Sequence, residues 1–176
     1  MSFIDRIAAT LAPSASEEER RERRIGFEKM AEGQLFAEDI LRQHKQIEQL
    51  FAQARSASGP AAQAAVTELS LLLNAHSMAE EAVIYPEVSE NSGKTHAGMA
   101  YEEHAMTKVQ LAELKKLEPG SEQWIEKLDH IESAVQQHIH QEEGSWLPDV
   151  IRNAPLEARQ RMSVEYRNYF DRVDLG

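Results

Sequence analysis

The chain has 176 residues, 41% of them hydrophobic, and a formal net charge of −11 at pH 7. A surface so acidic repels phosphate backbones and anionic headgroups, which argues against a role in nonspecific nucleic-acid or membrane binding. The absence of cysteine rules out disulfides, thiolate catalysis, cysteine-held clusters and covalent c-type haem.

Residues 1–33 are expected to form a helical extension. Phe3, Ile4, Ile7 and Leu11 make a short amphipathic stripe, and after Pro13 comes "SASEEERRERR", a charge-dense helix start with Ser14 and Ser16 as candidate caps. Its charges alternate in sign and read as solvated. The expectation is a helix packed on the rest of the chain or on a second subunit, not an arm for a membrane surface. The opening "MSFIDRIAATLAP" lacks a basic segment and carries Asp5 and Arg6 in its apolar part, unlike a secretion signal. No apolar run approaches the ~20 residues that span a bilayer, so a soluble, cytoplasmic protein is expected.

Gly33, "SASGP" at 56–60, "NSG" at 91–93, "EPGS" at 118–121 and "NAP" at 153–155 punctuate the remainder. Between them the hydrophobic period is helical, with no sustained strand-like alternation. Helices are predicted over 34–55, 61–90, 95–118 and 121–152. A fifth, over 155–172, begins with Pro155, whose missing N–H costs nothing in a first turn. The expected fold class is all-α. An up-down-up-down four-helix bundle spans 34–152, with additional N- and C-terminal helices in 1–33 and 155–176.

The second and fourth of these helices repeat one phrase. "HSMAEEAVIYP" runs from His76 to Pro86 and "HIHQEEGSWLP" from His138 to Pro148. A further histidine precedes each, His44 before His76 and His104 before His138, so the chain reads as two related αα-hairpins. The histidines and the first glutamate of each pair fall on the apolar stripes. Val66, Leu69, Leu73, His76, Glu80 and Val83 share one face of the second helix. On the fourth the stripe is Trp124, Leu128, Ile131, Val135, His138 and Glu142; on the first it is Ile40, His44, Ile47 and Phe51, and on the third His104, Thr107, Leu111 and Leu114.

Six ionisable side chains are thereby aimed into an apolar interior. A carboxylate there must be paired, protonated or bound to a cation, and Arg42, Lys45 and Lys127 lie off the stripes. Converging imidazoles and carboxylates are what a metal site requires. At i, i+4 spacing the two side chains of one helix rise from the same face, so two such helices can bring two glutamates together between two ions about 3.5–4 Å apart. His44, His76, Glu80, His104, His138 and Glu142 are the candidate ligands. His96 and His130 are read as surface residues, and His140, well around the helix from His138, as facing solvent or a partner. Gly144 is expected to relieve crowding against Pro148, and Pro86 to kink or end its helix just beyond the metal.

The order His44, His76-x-x-x-Glu80, His104, His138-x-x-x-Glu142, with "EEAVIYP" and "EEGSWLP" trailing, resembles the hemerythrin-like HHE cation-binding family over about residues 34–152. The resemblance implies a four-helix bundle with a non-haem di-iron centre: two iron ions per chain, oxo- or hydroxo-bridged when oxidised, bound by those six residues with both glutamates bridging. Manganese and zinc are the other candidate metals. Oxygen-carrying members have a fifth histidine one turn from the third-helix ligand, where this chain has Ala100 and Lys108. The four-His, two-Glu pattern is closer to that of the family's bacterial iron–sulfur repair proteins, although the cysteine-bearing domain associated with them has no counterpart in a chain without cysteine. The expected function is binding or reduction of a small oxidant (O2, peroxide or NO) in oxidative or nitrosative stress. As an enzyme it would be a di-iron oxidoreductase of peroxidase, ferroxidase or NO-reducing type. The alternative is an iron or oxygen sensor, or an iron store, acting through metal-dependent partner binding by the terminal helices or a homo-oligomer. Tyr101, one turn from His104, is weighed as a hydrogen-bond donor to the ligand and as a packing residue. A b-type haem bundle would leave Glu80 and Glu142 without a role.

Overall fold

Ser16 opens the first helix of the computed structural model, which describes residues 16–173. The predicted stripe Phe3, Ile4, Ile7, Leu11 and the candidate cap Ser14 lie outside those residues. The Ser16 hydroxyl accepts from the Glu19 N–H while the Glu19 carboxylate accepts from the Ser16 N–H. That reciprocal cap, with Glu17, Glu18 and Glu19 in the first turn, starts α1 (Glu17–Ala31) and favours its positive end. Gly33, at φ 76°, takes the left-handed conformation that ends a helix sharply and lets the chain turn into α2 (Leu35–Ser56).

Two residues later α3 (Gly59–Ala79) begins, with Pro60 in its first turn. Since α2 and α3 pack together along their lengths, so short a connection makes them an antiparallel hairpin. At Glu80–Ile84 the helix widens into a π-turn, then resumes as α4 (Tyr85–Asn91). A turn through Gly93 leads to α5 (Lys94–Leu114). Next comes α6 (Glu122–Gln141), capped by the Ser121 hydroxyl, then a second π-turn at Glu142–Trp146 and α7 (Leu147–Asn153). Beyond Pro155 lies α8 (Leu156–Phe170). Among the described residues there is no strand, and no helix is long and apolar enough to cross a membrane.

The predicted helices over 61–90 and 121–152 are thus continuous paths, each re-registered by one π-turn. Pro86 does not end its helix. A proline ring collides with the carbonyl four residues back in an α-helix. Widening the turn, so that the Tyr85 N–H reaches Glu80 and the Leu147 N–H reaches Glu142, shifts that carbonyl and admits Pro86 and Pro148 into the first turns of α4 and α7.

Two apolar clusters form the core. One gathers Phe36, Ile40, Ile84, Trp146 and Leu147, joined by Phe27 of α1 and Met162 and Tyr166 of α8. The other gathers Ile47, Phe51, Leu69, Leu114, Trp124 and Leu128. Each large side chain buried contributes roughly 1.5–3 kcal/mol. On every one of the four long helices the histidine falls between a residue of one cluster and a residue of the other: Ile40 and Ile47 around His44, Leu73 and Val83 around His76, Ala100 and Leu111 around His104, Val135 and Trp146 around His138. The polar residues therefore form a layer between two apolar masses. Arg167 of α8 reaches Asp39 of α2 at 2.5 Å, and Arg42 holds the other carboxylate oxygen at 2.8 Å, tying the C-terminal helix to the first hairpin.

Candidate metal centre

All six predicted residues meet in that layer. His44, His76, His104 and His138 are at most 6% exposed, and Glu80 and Glu142 are fully buried. Ring centroids lie 5.1 Å apart for His44 and His76 and 4.7 Å apart for His104 and His138, so the imidazoles form two pairs, one from each hairpin. The glutamates span the pairs. Glu80 Oε2 lies 3.1 Å from His76 Nε2 and 3.5 Å from His104 Nε2. Glu142 puts Oε2 3.2 Å from His44 Nε2 and Oε1 3.4 Å from His138 Nε2. Two sets of donor atoms result, each lying within 4.8 Å: His44, His76, Glu80 and Glu142 in one, Glu80, His104 and His138 in the other.

Each imidazole is aimed by a hydrogen bond at its far nitrogen. Nδ1–H of His44 donates to Glu143 at 2.8 Å, that of His104 to Glu81 at 3.1 Å, and that of His138 to Glu103 at 2.7 Å. For His76 the acceptor is the Gln43 amide oxygen at 2.8 Å, which also accepts from the Tyr166 hydroxyl at 2.6 Å. A carboxylate can only accept, so these contacts fix the proton on Nδ1 and leave Nε2 facing the centre. This is the outer support that orients metal-binding histidines. The four acceptors obey the internal repeat: Glu81 and Glu143 come directly after the inward glutamates, and Gln43 and Glu103 directly before His44 and His104. Reading along single helices missed them because each serves a histidine on a neighbouring helix. The doubled glutamate, repeated in both phrases, was the signal.

The electrostatics distribute protons unevenly. Burial and the neighbouring Glu142 push Glu80 well above the usual carboxylate range. Burial works against Glu142 too, but His138 and His44 outweigh it and hold Glu142 well below that range. Burial opposes a charge on His44, yet Glu142 and Glu143 raise it to about 9. His138 likewise moves up despite burial, through Glu142 and Glu103. Burial, then the charge on His44, drives His76 down. Arg24 of α1 completes the outer layer, with Nε 2.8 Å from Glu143 and Nη1 2.8 Å from Glu48.

The residues fit a bound cation on a direct structural test. His44 Nε2, Glu80 Oε1 and Glu142 Oε2 are buried and have no hydrogen-bond partner; the 3.2 Å approach of His44 to Glu142 lacks the alignment of a hydrogen bond. Three polar atoms left without partners in the interior are costly, and a cation displacing the His44 proton would satisfy all three. A cavity with about 20 Å³ open to a water-sized molecule adjoins the layer, bounded by Ile47, Leu73 and Val135 as well as His76, His104 and His138.

Four expectations change. Tyr101 is 41% exposed and its hydroxyl donates to the Glu81 carbonyl, so it supports the outer layer and does not reach the centre. Tyr85 does: it is fully buried, and its hydroxyl lies 2.9 Å from His104 Nε2 and 3.0 Å from Glu142 Oε1. His140 is only 6% exposed. It faces away from His138, as expected, but α1 covers it, and burial together with Arg23 and Arg20 lowers its pKa. At Gly144 the constraint is Arg23, since a Cβ would stand 2.9 Å from its Cδ and Nη1. His130 is exposed as expected, while His96 is half-buried, hydrogen-bonded to Ser92 and stacked on Trp146.

The six residues lie within the stretch that matches a known family. The family described as hemerythrin HHE cation binding domain matches residues 35–150. A protein from Nostoc sp. named DNA nickase is 24% identical over 132 residues, 74% of this chain but 38% of that protein. No solved structure gives a significant match.

Proposed function

This chain belongs to the hemerythrin HHE cation-binding family, and from that premise we propose that His44, His76, Glu80, His104, His138 and Glu142 bind two iron ions that act on a small oxidant, O2, peroxide or NO, in the cytoplasm. The observation that carries the reading is the set of four imidazoles, each held at Nδ1 with Nε2 turned toward two shared carboxylates. In this reading the helices form an up-down-up-down four-helix bundle over 34–152, with α1 and α8 as additions at its flanks.

Iron held there supplies Lewis acidity and one-electron redox capacity. The chain supplies the rest. Gln43, Glu81, Glu103 and Glu143 lock the imidazoles in the tautomer that offers a lone pair inward. Glu80 and Glu142, each within reach of both histidine pairs, would be shared between the two cations. The apolar clusters above and below shield the layer, and the cavity beside His76, His104 and His138 has room for a water-sized molecule. Iron fits this donor set better than a soft ion, since every donor is an imidazole or an oxygen.

A second reading, a sensor or store, has its own support. Arg24 links α1 to Glu143 and through it to His44, so cation binding at His44 bears on how firmly α1, a candidate docking element for a protein or redox partner, is held. Nicking of DNA is not carried over from the Nostoc protein: the match spans 38% of it, and a net charge of −11 opposes contact with phosphates.

Elemental analysis joined to anaerobic reduction and addition of O2, peroxide or NO tests the proposal. Two irons per chain with an oxidant-dependent optical change support it. Two irons whose spectrum ignores all three oxidants sink the oxidant reading and leave the sensor or store, which then requires that loading alter the protease sensitivity of α1.

A further inference from the structure

The two halves of the centre are unequal, and the inequality falls on one residue. The half around His44 and His76 gathers four donor residues, whereas the half around His104 and His138 gathers three, with Glu80 common to both. Tyr85 stands at the poorer half. Its hydroxyl lies 2.9 Å from His104 Nε2, 3.2 Å from His138 Nε2, 3.0 Å from Glu142 Oε1 and 3.3 Å from Glu80 Oε2. A phenol has one hydrogen to donate, so it cannot satisfy four electron-rich neighbours at once. In an α-helix Tyr85, five residues after Glu80, would point about 140° away from it. The π-turn at Glu80–Ile84 brings it back to the same face. The internal repeat places Leu147 at the matching position after Glu142, so the other half receives no such oxygen.

We infer that Tyr85 is a direct ligand of the ion in the His104 and His138 half, completing a fourth protein donor there and making the two ions chemically distinct. The inference rests on the two-ion reading above. Coordination breaks the phenol O–H bond, forms an oxygen–metal bond and releases the proton to solvent. An anionic oxygen favours the more highly charged metal, so the ion at this half is the one that holds the ferric state more strongly.

The test is ferric loading of the full chain, of Tyr85→Phe and of Tyr101→Phe, with iron counted by elemental analysis and resonance Raman recorded in the visible band. Phenolate ring modes in the wild type and in Tyr101→Phe, lost entirely in Tyr85→Phe, support the inference. Two ions per wild-type chain without phenolate modes overturn it while leaving the two-ion reading standing, as does a band that persists in Tyr85→Phe. A wild-type chain that binds no iron overturns both. Zinc titration of the wild type, followed by the near-ultraviolet tyrosine difference spectrum, needs no variant: a difference signal that saturates with the second ion supports ligation, and a flat spectrum refutes it.

Discussion

Replacing Glu80 by glutamine separates what the carboxyl does for the fold from what it does for a cation. Glu80 is fully buried, and burial with Glu142 alongside pushes its pKa well above the usual carboxylate range, which favours the neutral acid that an amide of the same shape mimics. The metal-free variant should melt within about 3 °C of wild type, since one rearranged hydrogen bond is worth about 1 kcal/mol and each kcal/mol moves a domain of this size by about 2–4 °C. The loaded proteins should differ far more. A cation present at a thousand times its Kd stabilises the native state by about 4 kcal/mol, a rise of about 8–16 °C. Losing a carboxylate shared by both halves weakens binding by at least the roughly hundredfold reached when an outer partner is lost. The same cation concentration is then only about ten times Kd and yields about 1.4 kcal/mol, or about 3–6 °C. Melts with and without zinc, which is redox-inert, together with elemental analysis, measure both quantities, and His140→Ala serves as a control that keeps the full rise. The reasoning is refuted if Glu80→Gln retains both the wild-type rise and ion count. It is equally refuted if the metal-free variant melts more than about 10 °C lower, because Glu80 would then be an ionised structural partner.

Two further outcomes are expected. His44 is held protonated up to about 9 against an ordinary 6.5, so below that value a cation must displace its proton, and zinc affinity should tighten by about tenfold per pH unit between pH 7 and 9. For the metal-free protein the sign is opposite: a raised pKa stabilises fully below about 6.5 and that contribution is lost as the pH climbs through about 9. Competition titrations and melts over this window decide, and an affinity that levels off above pH 7 contradicts the assignment. Arg24→Ala strips Glu143, whose side chain is 3% exposed, of its guanidinium. Because Arg24 is itself 23% exposed, the cost should fall below that of a fully buried pair, about 2 kcal/mol or about 4–8 °C; an unchanged melt would show that α1 is not anchored there.

Helical periodicity carried the sequence reading as far as side chains that share a stripe. His44, His76, His104 and His138 could be placed inside because Ile40, Leu73, Leu111 and Val135 lie on the same faces, and the structure brings all of them inward. Tyr85 escaped because the reading assumed one uniform helical phase, and the π-turn breaks that phase between Glu80 and Tyr85. Glu81, Glu103, Glu143 and Gln43 escaped because an orienting partner sits on a flank and is recognised only once two helices are side by side. His140 shows a different boundary: periodicity tells which way a residue points, whereas only the path of α1 decides what lies over it. Gly144 is the same case, explained by Arg23 and not by the proline four residues on.

Having an oily mass on either side of the polar layer means that neither depends on that layer for its own cohesion. Small zinc domains collapse when stripped because the ion substitutes for a core; here Phe36, Ile40 and Leu147 at one end, and Leu69, Leu114 and Trp124 at the other, persist whether or not cations lie between them. A chain of this build is expected to stay folded when stripped of cations, which a cooperative melt of the chelator-treated protein would show.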